Sequence, residues 1–151
     1  MIVDCLTDNP ARAVAEVRHV FMKYGGRLGA PGSVAYLFKP VGRMSYPSCT
    51  DGVLLRRLAF AAGAEDVVAG AAGVTEVLCD PWELAAVRSR LESAGWVPAH
   101  ADVTERAASA VPLAGAAAYA MLRLQGALRG LDQVQGVYSN AEIPDEIVAQ
   151  L

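Results

Sequence analysis

Between residues 10 and 24 apolar side chains recur at three- and four-residue steps. Ala13, Val14, Val17, Val20, Phe21 and Tyr24 fall on one face, while Arg12, Glu16, His19 and Lys23 fall on the other. That period predicts an amphipathic helix. Its start is marked by 7-TDNP-10, with Asp8 or Asn9 as cap and Pro10 in the first turn, and its end by Gly25 and Gly26. A short strand, 2-IVDCL-6, precedes it. The β-branched and aromatic run 33-SVAYLF-38 predicts a strand after it.

From Pro40 the pattern changes. Gly42–Tyr46 reads as a strand, and Asp51 caps a helix over 53–63 that ends in glycine. Weak strands follow at 65–68 and 74–80. Pro81 opens a helix over 82–95, and the strand 96-WVPAHADV-103 closes the block. This βαββαβ order is that of a ferredoxin-like split βαβ unit. Residues 104–112 read as a linker. An alanine-rich helix over 113–130, a last strand in 131-LDQVQGVYSNAEI-143 and a short acidic tail complete the chain. The first and last blocks are each too small to bury a core alone. The expected fold is therefore α+β with two small lobes. One is discontinuous, residues 1–39 plus 111–151, and a ferredoxin-like lobe over 40–110 is inserted into it.

Composition narrows the function classes. With 54% hydrophobic and 19% charged residues the 151-residue chain buries a real core. No apolar run reaches the roughly 18 residues of a membrane span. The start lacks a signal-peptide pattern. Cys5, Cys49 and Cys79 are odd in number and far apart, so neither a disulfide framework nor a zinc site is suggested. The expectation is a cytoplasmic, reduced protein without a cofactor. Net charge is −3 but uneven: +3 up to residue 47, −4 over 48–110 and −2 beyond. The acidic total argues against a general nucleic-acid binder, yet permits one basic face.

The stretch 23-KYGGRLGAPGSVAYLF-38 holds Gly25, Gly26, Gly29 and Gly32. Neither the P-loop nor the dinucleotide spacing is present. Phosphate loops also run from strand into helix, whereas here a helix leads and presents its carbonyl end. The glycines serve tight turning, or a loop that meets a partner through its amides and Arg27. Arg12, His19, Lys23, Arg27, Lys39 and Arg43 are the candidate nucleic-acid or partner contacts; a merely solvated helix face is the competing reading. No histidine, serine or cysteine stands in a nucleophile motif. Asp80, Glu83, Asp145 and Glu146 read as cap, first-turn and tail acids, so the chain is expected not to be an enzyme.

The run LTDNPARAVAEVRHVFMKYGGRLGAPGSVAYLF, the segment 60-FAAGAEDV-67 and the ending LDQVQGVYSNAEIPDEI resemble the YebC/PmpR family along the whole chain. Tyr138, Ser139 and Asn140 match its closing VYSN motif. Arg27 stands where the family carries asparagine in GGNLG. The resemblance implies an α/β domain interrupted by a further domain, with the family's basic N-terminal helical domain lacking here. It also implies a regulator of gene expression meeting DNA, ribosomal RNA or the ribosome: the family spans transcriptional regulators, a mitochondrial translational activator and ribosome-tied bacterial members. A shortened relative acting as a protein-interaction module is the alternative. A small-ligand sensor between the lobes rests on fold analogy alone.

Overall fold

The computed structural model describes residues 1–48, 51–70 and 73–150. Cys49 lies outside them. The fold is α+β. The chain forms two compact units, Met1–Phe38 with Ala107–Leu151, and Lys39–Arg106 between them.

The first unit begins with β1 (Ile2–Cys5) and α1 (Pro10–Lys23). After the central segment it continues with β6 (Val111–Pro112), α4 (Gly115–Arg129), β7 (Val134–Tyr138), β8 (Ala141–Glu142) and α5 (Asp145–Val148). β1 pairs antiparallel with β7, and β6 runs parallel to β8. One core joins α1, α4, β1 and β7. Val17, Val20 and Phe21 of α1 meet Leu124 and Leu128 of α4 and Val137 of β7, with Val3, Tyr24, Met121 and Leu131 at its margin. The three-four periodicity of α1 thus becomes packing, except that Val14 is 41% exposed. Asn9 is the cap: its Oδ1 accepts from the Arg12 N–H at 3.2 Å.

The second unit is the split βαβ unit that the element order predicts. It comprises β2 (Phe38–Tyr46), α2 (Gly52–Ala62), β3 (Asp66–Ala69), β4 (Thr75–Cys79), α3 (Leu84–Ser93) and β5 (His100–Ala107). The sheet order is β3-β4-β2-β5, and β4 runs antiparallel to both β2 and β3. Met44, Tyr46, Val77 and Cys79 from the sheet pack against Leu55 and Ala59 of α2 and Val87 and Leu91 of α3. The Tyr46 hydroxyl, within this core, donates to the Trp96 carbonyl at 3.1 Å. Asp51 caps α2 through the Val53 and Leu54 amides, and Asp80 holds the Trp82 amide at 2.9 Å.

Three expected elements differ. Residues 33–37 do not form a strand: Gly32 sits at φ +73°, and i→i+3 bonds from Ser33, Ala35 and Leu37 coil the chain into a 3₁₀ turn over Ala35–Leu37. The strand instead starts at Phe38 and runs through Pro40, tolerated because pairing with β4 begins only at Gly42. β5 also starts four residues later than expected, at His100, because Gly95 at φ +90° and Pro98 keep the preceding segment out of the sheet. Much of the expected 104–112 linker is therefore strand.

Candidate contact surface

α1 places its charges by period alone. Arg12, His19 and Lys23 are exposed along one stripe, but Glu16 within it is engaged. Arg12 Nε bonds Glu16 Oε1 at 3.1 Å, and Gln133 Nε2 donates to Glu16 Oε2 at 3.1 Å. Gln133 accepts in turn from the Thr7 hydroxyl, and its carbonyl takes the Leu6 N–H at 2.8 Å. This chain of contacts ties the helix start to the loop before β7. The acid that interrupts the stripe therefore serves the fold. Arg18, roughly a third of the circumference away at 100° per residue, is a further exposed cation that the stripe reading passed over. Lys23 lies over the Tyr24 ring at 5.7 Å, beside the carbonyl end of the helix.

The glycine loop is a backbone device. Gly26 N–H reaches back to the Phe21 carbonyl at 2.7 Å, and Gly25 is left-handed at φ +79°. Together they make a Schellman-type helix end. A Cβ on Gly26 would meet the Phe21 ring at 2.9 Å, and one on Gly29 would meet Ser33 Oγ at 2.9 Å. Backbone economy explains these glycines without any ligand. The loop does carry Arg27 on the surface, and among the described residues no ion pair engages it.

Lys39 and Arg43 belong to the other unit and are occupied there. Lys39 Nζ lies 3.4 Å from Glu65 Oε2. Arg43 grips Asp102 with a fork, Nε to Oδ1 at 3.0 Å and Nη2 to Oδ2 at 2.8 Å, and its Nη1 lies 4.0 Å from Glu76. His100 Nε2 stands 3.4 Å from the same Asp102. Burial pushes the Asp102 carboxyl up, but bonds and charge from Arg43, then His100, outweigh it and hold the group below the usual range. Arg43 is thus held on the sheet by two carboxylates of its own unit. Sequence reading missed this because Asp102 lies 59 positions away.

The closing motif is also structural. Tyr138 sits opposite Ile2 in the β1–β7 ladder, and a Cβ on Gly136 would meet its ring, Cζ at 2.9 Å, so the ring lies across the bare glycine. Ser139 Oγ accepts the Ala141 N–H at 3.0 Å, and the Asn140 carbonyl accepts from Val111 at 2.7 Å, seating β6 beside β8. On α4 a shallow open hollow is lined by Ala116, Tyr119, Ala120 and Arg123. It rests on one helix and encloses nothing. Among the described residues no cluster of His, Cys, Asp or Glu could hold a metal ion, and no helix is long and apolar enough to cross a membrane.

A βαββαβ unit set within a second α/β unit, closed by a TDN helix start and a VYSN turn, defines a known architecture. The sequence model of the TACO1/YebC second and third domain matches residues 1–141, and the chain belongs to that family. A probable transcriptional regulatory protein of Nitrosococcus oceani is 45% identical over 151 residues, the whole of this chain and 61% of that protein. Another, from Thioalkalivibrio sulfidiphilus, is 47% identical with the same coverage. The crystal structure of a conserved hypothetical protein from Aquifex aeolicus superposes with a TM-score of 0.82 at 40% identity, over 97% of this chain and 60% of that one. The chain therefore spans about three fifths of the length of these relatives.

Proposed function

We propose that this chain is a non-enzymatic, cytoplasmic regulator of gene expression that contacts nucleic acid, DNA or ribosomal RNA, or the ribosome, through α1 and the loop after it. The observation that carries the reading is the asymmetry of pairing on that surface. Its one acid, Glu16, is held by Arg12 and Gln133, while Arg18, Lys23 and Arg27 are exposed without an acidic partner among the described residues. Unpaired surface cations are what a phosphate backbone recruits, releasing its counterions. The names of the bacterial relatives, probable transcriptional regulatory proteins, support the same class. Of the six cations expected from sequence, His19, Lys23 and Arg27 remain in the proposed surface without an acidic partner among the described residues, and Arg12 lies beside them held by Glu16. Lys39 and Arg43, paired with Glu65 and Asp102 in the other unit, are left out of the proposed surface.

The test is co-sedimentation of the chain with ribosomes, and binding to labelled RNA and DNA, at low and moderate salt. Affinity should fall steeply with salt. Replacing Lys23 and Arg27 together with alanine should flatten the logarithmic salt slope by about 1.4 on single-stranded RNA, at about 0.7 per phosphate contact. A second reading, a protein-interaction module, draws on Leu6, Met22 and Tyr36, which are 70%, 70% and 82% exposed in the same unit. Salt-insensitive association with a protein, lost in Met22→Asp, would favour it.

A further inference from the structure

The four-stranded sheet has two edges of unequal character. β3, at one edge, is four residues long. β5, at the other, is eight residues long, His100–Ala107, with no proline, glycine or lysine among them. Among the described residues its only strand neighbour is β2. Among the described residues its outer side therefore has no strand partner for its N–H and C=O groups; short length, proline and lysine are lacking, and Asp102, Glu105 and Arg106 are the charges that select what pairs there. Val103 on this strand is 53% exposed.

The charges along β5 say what fits there. Asp102, Thr104 and Arg106 alternate, so they share one face of the strand. When two copies of β5 run antiparallel about a two-fold axis at Thr104, Asp102 of each copy, which its own Arg43 already forks, falls opposite Arg106 of the other and gains a second cation. Thr104 then meets its own copy, and Ala101 meets Ala107. A shift of two positions one way sets His100 against Arg106. A shift four positions from the Thr104-centred register sets Asp102 against Asp102. Only the Thr104-centred pairing gains both opposite-charge contacts, and Arg106 is exposed and outside every ion pair of the described residues. We infer that β5 is a self-association edge, where a second copy of this chain adds its own β5 and joins the two four-stranded sheets into one of eight strands. An isologous contact of this kind closes at two copies. The inference stands independently of the nucleic-acid reading.

Sedimentation equilibrium of the full chain over micromolar to several hundred micromolar should give a reversible monomer–dimer equilibrium. Arg106→Glu turns both favourable pairs into repulsive ones and should raise the dissociation constant about tenfold. In a background with Cys5→Ser and Cys49→Ser, Thr104→Cys should form a disulfide-linked dimer under mild oxidation. Val103→Cys, whose partner across the axis is Glu105, should not. A chain that stays monomeric, a dimer indifferent to Arg106→Glu, or linkage no better through Thr104→Cys than through Val103→Cys overturns the inference.

Discussion

The two units differ in how much of their positive charge is already engaged. In the central unit Lys39 meets Glu65, Arg43 forks onto Asp102 and Arg88 pairs with Glu92. Arg56 and Arg90 donate to the Val67 and Ala62 carbonyls at 3.1 and 2.8 Å, and of its remaining cations Arg57 and Arg106 stand exposed outside every ion pair of the described residues. In the outer unit only Arg12 has a carboxylate partner, and Arg18, Lys23, Arg27, Arg123 and Arg129 stand exposed without one among the described residues. Segment net charge hints at this difference but does not explain it. What decides whether a cation is available to a partner is whether the fold has already supplied its counter-charge.

That contrast can be broken from the side of stability first. Leu55 and Leu128 are both 0% exposed, one in each core. Leu55→Ala and Leu128→Ala should each destabilise by about 2–5 kcal/mol, read as a shift of denaturation midpoint. If the units melt separately, each variant should move its own transition.

Next in size is Arg43→Ala, expected to cost about 1–2 kcal/mol, since it leaves a half-buried carboxylate without its fork. The same pair sets a pH dependence. Asp102 ionises below its ordinary 3.8, so its contribution is full above that value and fades as pH falls through the lowered value. Acid titration of the melting temperature should show this loss in the wild type and a smaller one in Arg43→Ala, where only His100 still favours the carboxylate. Smaller again is Gly25→Ala, about 1 kcal/mol, because the left-handed helix end at φ +79° is strained for alanine. Smallest for stability should be Lys23→Ala and Arg27→Ala, within about 0.5 kcal/mol, as exposed side chains without ion pairs.

Much of the architecture was legible because it is encoded locally. The period of α1, the caps at Asn9, Asp51 and Asp80 and the helix-ending glycines all act within a few residues. The segment 33–37 misled because its residue types favour strand, while the path is set by the left-handed Gly32 and the turns that follow. The candidate surface was legible only as a list of cations. Whether Lys39 and Arg43 are engaged depends on Glu65 and Asp102, 26 and 59 positions distant, and no local pattern reports those partners.

The most direct measurement is the salt dependence of binding to ribosomes and to single-stranded RNA for three chains: wild type, Arg18→Ala/Lys23→Ala/Arg27→Ala, and Lys39→Ala. Nucleic-acid contact through the free cations of the outer unit predicts a steep slope in the wild type, flattened by about 2 in the triple variant and nearly unchanged by Lys39→Ala. Equal losses in both variants, or binding that ignores salt, would contradict it.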